Sequence, residues 1–371
     1  MPALFQPLTI GSLELENRIV IAPMCQYSAV DGNAVDWHLI HLGHLALSGA
    51  ALLIIEATSV LAEGRITAGD LGLYSDANEA ALARVIAAIR ANSPIRLGLQ
   101  LAHAGRKASS QAPWDGGQQI PLGAPGAWQA VAPSALPHAP HEDAPAALDA
   151  AGLVRVREAF AAAARRAVRL GIEAIELHCA HGYLMHEFLS PIANERTDGY
   201  GGSLDNRMRF PLEVFDAIRA AAPAEVAVWV RVSATDWVPG GWDLDSSVAF
   251  AQALKARGCA AIHVSTGGVS PLQKIALEPG YQVPHAKRIK DAVGLPTIAV
   301  GLITEAEHAE AIVAGGEADA VGLARAMLWD PRWPWHAAAK LGAQVHAPKQ
   351  YWRSQPREFK DLFVGASVGQ R

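Results

Sequence analysis

Cysteine is scarce in this chain: three residues, Cys25, Cys179 and Cys259, set far apart. That spacing offers neither a disulfide framework nor a thiolate metal site, and it points to a reducing, cytoplasmic setting. Long apolar runs are also missing. The longest, from Leu45 to Ile55, is well short of the roughly 20 residues a bilayer requires. No Lys or Arg occurs in the first seventeen residues, so the charged start of a secretory signal is not found there. No basic stripe exists to follow a phosphate backbone, and the formal net charge is a mild -5, which argues against nucleic acid as a partner. Neither a GxGxxG fingerprint nor a GxxxxGK(S/T) loop appears.

What the 371 residues do contain is hydrophobic sequence, 51% of the total, ample for a large core. It falls into short Val/Ile/Leu-rich runs at 19–22, 52–57, 95–101, 174–179, 227–233, 261–266, 296–301 and 320–324. These runs are continuous rather than alternating, as strands covered on both faces are. Helical patterns separate them. One begins near Asp149 and stops at Gly171, a residue suited to the left-handed position after a helix. Another opens at Thr304 with Glu307 three residues on, a capping-box spacing. Eight strands alternating with helices predict a (β/α)8 TIM barrel over residues 1–342; a doubly wound sheet fits the same strand count. Residues 104–148, rich in Pro, Gly and Ala, are too long for an ordinary connection and are expected to form a lid after the third strand. Residues 343–371, containing "APKQYWRSQPREF", are expected to form a C-terminal docking segment.

In such barrels chemistry sits at the C-terminal strand ends. Those ends gather Pro23, Met24, Cys25 and Tyr27; Ala57; Gln100 and His103; His178, His181 and Tyr183; Arg231; Gly301; and Gly322, Ala324 and Arg325. Taken singly, Cys25 reads as a small core residue, and Gln100 or Arg231 as a structural hydrogen-bonder. Taken together they read as a site. His178, His181 and Glu187 raise the alternative of a metal-dependent barrel hydrolase, but the only nearby carboxylates in this reading are Glu56 and Asp236. Neutral donors with an Arg suit an electron-rich organic cofactor and a carbonyl substrate better, and no metal is expected.

The stretches "APMCQY" (22–27), "LGLQLAHAGRK" (97–107), "HCAHGYLMHEFLSPIANERTDGYGGSLDNRMRF" (178–210) and "AVGLARAMLWDP" (320–331) resemble the Old Yellow Enzyme family of flavin-dependent ene-reductases. With Cys25 in "PMCQY", they look like its bacterial branch related to xenobiotic reductases. The resemblance implies a barrel holding FMN without a covalent link, reduced by NADPH or NADH and reoxidised by activated alkenes, enones or nitro compounds. It assigns Pro23, Met24, Cys25, Ala57, Gln100 and Arg231 to the flavin ring. Ala22 stands beside that ring where several relatives have Ser or Thr. Gly301, Gly322, Ala324 and Arg325 are assigned to the ribityl phosphate. His178 and His181 are assigned to the substrate oxygen, Tyr183 to proton donation and Tyr27 to the substrate. The resemblance further implies a homodimer or homotetramer in which Arg353 reaches a neighbour's substrate site. A flavin-binding protein without reductase activity is the second alternative.

Overall fold

A computed structural model describes residues 1–367; the last four residues of the 343–371 segment lie outside the described residues. Eight parallel strands close into one barrel: β1 (Ile19–Ile21), β2 (Leu52–Ser59), β3 (Arg96–Ala102), β4 (Ala174–Cys179), β5 (Ala227–Ser233), β6 (Ile262–Ser265), β7 (Thr297–Ala299) and β8 (Ala320–Leu323). Each pairs with its sequence neighbours, and β8 returns to β1. Every residue of β2, β4 and β5 is buried, the burial on both faces that continuous apolar runs predict. Among the described residues no helix is long and apolar enough to cross a membrane.

The outer helices are α1 (Asp36–Ala46), α2 (Asp76–Asn92), α3 (Ala150–Arg169), α4 (Leu184–Leu189), α5 (Leu204–Ala221), α6 (Leu244–Lys255), α7 (Val283–Val293), α8 (Ala306–Ala314), α9 (Arg325–Trp329) and α10 (Trp333–Leu341). Helix α3 has the ends its sequence promises: the Asp149 carboxylate accepts from Gly152 N at 2.7 Å, and Gly171 follows with φ +73°. Its buried stripe of Leu153, Val156, Phe160, Ala163, Ala164 and Ala167 has helical spacing. A hairpin, Leu8–Ile10 with Leu13–Leu15, lies against the N-terminal strand ends. Before it, the 3-10 turn Ala3–Phe5 is held by Glu310 of α8, which accepts from Ala3 N and Leu4 N, both at 2.8 Å.

Two local expectations fail. Helix α8 starts at Ala306, not Thr304, and has no side-chain cap. The Thr304 carbonyl instead accepts Trp333 Nε1 at 2.6 Å, and Glu307 pairs with Lys340 at 2.7 Å. Strand β2 runs on to Ser59 through a register shift between Ile55 and Thr58, a bulge that re-aims side chains at the barrel rim.

Residues 104–148 contain short 3-10 turns (Gly105–Lys107, Pro113–Asp115) and a two-stranded pair, Val131–Ala132 with Ala146–Ala147. Arg106 fastens the segment, donating to Val269 O at 2.6 Å and Pro137 O at 3.3 Å. After α10, the chain folds back on its own helix: Trp335 meets Phe363 and Tyr351, and Arg332 lies over both Trp335 and Tyr351.

Loss of the α3 cap isolates one local contribution. Asp149→Ala is expected to cost about 1 kcal/mol of unfolding free energy in urea denaturation, and Asp149→Ser to keep it.

Candidate active site

Strand register stacks polar residues into layers inside the barrel. Gln100 lies beside Glu176, and Glu176 beside Trp229. His178 lies beside Arg231, and Arg231 beside His263; Ser233 lies beside Ser265. In a strand, alternate residues share a face, so Glu176 and His178 point the same way. Glu176, fully buried, accepts from Gln100 Nε2 (2.6 Å) and Trp229 Nε1 (2.8 Å), and its carboxylate pairs with His263 Nδ1 (2.6 Å). Burial alone would raise its pKa, but His263 and Arg231 outweigh that and hold it at about 2. This ionised carboxylate corrects the sequence reading, which counted only Glu56 and Asp236 near the strand ends. It also fixes the amide of Gln100, since one N–H is committed to Glu176. Above it, Arg231 is buried and its Nε has no partner among the described residues. A donor of this kind requires an acceptor that the protein itself does not supply.

The turn after β4 is the most constrained part of the site. His181 and Gly182 both adopt left-handed backbone, with φ +60° and +74°. A Cβ on Gly182 would overlap Gly268 O and lie 2.7 Å from Val269 Cα. Four contacts hold the turn. His181 N donates to Ser233 Oγ (2.9 Å), Gly182 N donates to His186 Nδ1 (2.9 Å), and Lys107 Nζ donates to His181 O (2.9 Å) and Gly268 O (3.1 Å). His186 Nε2 in turn lies 2.8 Å from Asp236 Oδ1, the usual way a carboxylate fixes an imidazole tautomer. His178 is fixed as well: its Nδ1 accepts from Ala180 N at 3.2 Å, leaving the proton on Nε2. The rings of His178 and His181 stand 5.1 Å apart and nearly perpendicular, and Tyr183 is 5.0 Å from His178. Burial, reinforced by the Arg231 charge, holds both imidazoles neutral, well below their ordinary range. Burial also raises the Tyr183 phenol far above 10, with Cys25, Tyr27 and Asp70 adding to the shift.

The remaining candidates, apart from Arg353, lie at the C-terminal ends of the barrel strands. Gln26 N donates to Glu56 at 2.5 Å, with His38 behind it at 3.1 Å, and this anchors the Pro23–Tyr27 loop. Burial, then Asp70 and Glu56, keeps Cys25 a thiol. Ala22 is buried, and its N donates to Leu323 O within the barrel. Tyr27 meets Trp114 edge-on at 5.8 Å and borders a cavity of about 190 Å³ with Lys107 and His138. A second cavity, about 160 Å³, is lined by Arg231, Ser265, Gln282, Gly301, Gly322, Ala324 and Arg325. A Cβ on Gly301 (φ +120°) would meet Gln282 Nε2 at 3.0 Å. A Cβ on Gly322 would meet Val300 Cγ1 at 2.8 Å and His263 Nε2 at 3.1 Å, so this glycine also makes room for His263 inside the barrel. Arg353 lies exposed on the 3-10 turn Lys349–Ser354, and neither cavity includes it.

Glu187 does not join the two histidines. Its carboxylate sits under the Gly105–Lys107 turn, accepting from Arg106 N at 2.8 Å, and burial pushes it up to about 8. Among the described residues no group of three or more His, Cys, Asp or Glu comes together to hold a metal. Sequence reasoning missed Glu176, His263, Ser265 and Lys107. The first three carried a usable signal, being polar residues on the inward parity of strands already recognised. Lys107 carried none, because its partners lie 74 and 161 residues away. Gly182→Ala is expected to leave the barrel folded by circular dichroism and to weaken ligand binding at the mouth at least tenfold, because a Cβ there displaces the turn.

Comparison with known proteins identifies the family. Residues 3–344 match the family profile described as NADH:flavin oxidoreductase / NADH oxidase. An NADPH dehydrogenase of Geobacillus sp. (strain WCH70) is 42% identical over 352 residues, covering 94% of this chain and 98% of that one. The structure of morphinone reductase superposes with a TM-score of 0.75 at 31% identity, over 99% of this chain and 94% of that one. An Old Yellow Enzyme homologue from Zymomonas mobilis superposes with a TM-score of 0.76 at 25% identity, over 98% of this chain and all of that one. A profile match over nearly the whole barrel, with relatives of such identity and coverage, leaves one assignment: the chain belongs to the NADH:flavin oxidoreductase / NADH oxidase family, that of Old Yellow Enzyme.

Proposed function

We propose that this FMN- and NAD(P)H-dependent oxidoreductase reduces the activated carbon–carbon double bond of α,β-unsaturated carbonyl compounds, with nitro compounds accepted through the same oxygen contacts. The observation that carries this reading is the pair of neutral imidazoles, 5.1 Å apart, beside a protonated phenol on one rigid turn.

The fit of the cofactor rests on the buried, unpartnered Nε of Arg231, on the Gln100 amide held by Glu176, and on the cavity reaching Gly301, Gly322, Ala324 and Arg325. Arg231 and Gln100 would hold the ring's polar edge, with Ala22, Pro23, Met24, Cys25 and Ala57 beside it; Arg325 and the glycine backbones would hold the phosphate. FMN, when bound and reduced by NAD(P)H, supplies a hydride to the β carbon. The protein's residues do the rest. His178 and His181 donate to the substrate oxygen and stabilise the negative charge that develops there, a contribution that grows toward the transition state. Tyr183 keeps its proton at neutral pH and gives it up to the α carbon; its O–H bond breaks as the C–H bond forms, and solvent restores the proton. Tyr27, with Trp114 against it, borders the substrate, and residues 104–148 cover the mouth as a lid. With one mouth available, NAD(P)H and substrate take turns in it.

The three free cysteines support residence in a reducing cytoplasm. The exposed Tyr351 and Arg353 support a homodimer or homotetramer, with Arg353 entering a neighbour's mouth. Removing residues 349–371 is then expected to lower the mass seen by sedimentation and raise the KM for substrate; unchanged mass and KM would count against it.

The purified protein is expected to be yellow, to bleach anaerobically on adding NADPH, and to recover its colour on adding 2-cyclohexenone; bleaching without recovery by enones, maleimides or nitro compounds would refute the substrate assignment. Tyr183→Phe is expected to leave the NADPH step near normal and to slow the enone step about 10²–10⁴-fold in stopped-flow measurements. The acidity of the histidines gives a pH test. Because burial holds His178 and His181 neutral far below 6.5, neither gains a proton on going from pH 7.5 to 6. The enone step should carry no acid limb in that range, and a limb that His178→Asn abolished would contradict the assignment.

A further inference from the structure

We propose that Ser265 decides which ring nitrogen of His181 carries the proton, and thereby makes His181 a hydrogen-bond donor toward the mouth. This rests on the reading above that His178 and His181 hold the substrate oxygen.

A neutral imidazole has one N–H and one lone pair. For His178 the choice is made by the Ala180 amide, which takes the Nδ1 lone pair and leaves Nε2–H free. His181 has no such backbone partner at its ring. Its only ring contact among the described hydrogen bonds is Nε2 to Ser265 Oγ, at 2.8 Å. Two arrangements satisfy that contact. If Nε2–H donates to Ser265, then Nδ1 presents a lone pair to the mouth and repels a substrate oxygen. If Ser265 O–H donates to Nε2, the ring proton must sit on Nδ1, and His181 becomes a donor.

The surroundings of Ser265 favour the second arrangement. Its one proton has two acceptors in reach: His181 Nε2 at 2.8 Å and Gln282 Oε1 at 3.2 Å. Gln282 Oε1 already receives the Thr266 hydroxyl at 2.7 Å, so the shorter contact has the stronger claim. Ser233, one strand over, cannot substitute. Its own proton goes to Gly267 O at 2.7 Å, and its oxygen holds the His181 amide at 2.9 Å. Ser265 is buried, so water does not compete freely for either role. The two histidines thus present different nitrogens, Nε2–H from His178 and Nδ1–H from His181. Negative charge arriving on a shared oxygen strengthens both bonds and reinforces the tautomer that Ser265 selects. Ser265 is a positioning residue: it acts through His181 and touches no reacting atom.

The test uses the FMN-loaded protein and p-chlorophenolate, an oxygen anion that offers no double bond to reduce, as the probe. Ser265→Ala is expected to raise the probe's Kd about tenfold, the loss of one hydrogen bond to a charged group. Ser265→Thr, which keeps the hydroxyl, is expected to restore binding. His181→Ala should show a similar loss, and the double variant Ser265→Ala/His181→Ala no more than the single one. The 15N spectrum of histidine-labelled wild-type protein, assigned with His181→Gln, should show the His181 proton on Nδ1. A wild-type spectrum with that proton on Nε2 would overturn the proposal even if Ser265→Ala failed to fold. Normal probe binding in Ser265→Ala, alongside weakened binding in His181→Ala, would also overturn it while leaving the two-histidine reading intact. Normal binding in His181→Ala would remove both.

Discussion

The left-handed turn at His181 and Gly182 is the constraint on which the site depends. Only a residue without Cβ fits at Gly182, because Gly268 and Val269 pack against that backbone. His181 has a side chain and is still held at φ +60°, a conformation that costs of the order of 1 kcal/mol or more. Three sets of bonds offset that cost: Ser233 from β5, Lys107 from the segment after β3, and the His186–Asp236 pair spanning α4 and the loop after β5. The result is a short stretch of chain that projects two imidazoles and a phenol as one rigid unit, with little conformational entropy left to lose when a ligand binds.

Electrostatics around that unit is arranged by depth. At the mouth, burial keeps the groups uncharged: Cys25 as thiol, Tyr27 and Tyr183 as phenols, His178 and His181 as neutral rings. Beside His178, in the same layer, Arg231 is cationic with a spare donor, and one layer down Glu176 is anionic and hydrogen-bonded to Gln100, Trp229 and His263. Negative charge developing above Arg231 would meet a fixed positive neighbour, while the Glu176 charge is taken up by the Gln100 amide, the Trp229 indole and the His263 ring that bind it. Neutral donors at the top and a paired charge beneath form a preorganised environment that needs no rearrangement during the reaction.

Much of this was legible in the sequence because its signals are local. Continuous apolar runs gave all eight strands to within a few residues, and Asp149 and Gly171 marked the ends of α3. The misses are non-local. Thr304 has a capping-box spacing, but its carbonyl is claimed by Trp333, 29 residues away, and the helix begins later. The β2 bulge is defined by its register against β3, a strand that begins more than 35 residues further on. Gly322 looked like a phosphate-binding glycine and also serves as space for His263, a residue from another strand. Glu176 was overlooked although its parity with His178 placed it inside the barrel. Counting which strand residues share an inward face would have found it.

The central claim is that both imidazoles donate to one substrate oxygen. The most direct measurement is a crystal structure of the FMN-loaded protein soaked with p-chlorophenolate. The account predicts the phenolate oxygen at hydrogen-bonding distance, about 2.7–3.1 Å, from both His178 Nε2 and His181 Nδ1. An oxygen bound to Lys107 or Tyr27 instead, with either imidazole turned away from it, would contradict the account.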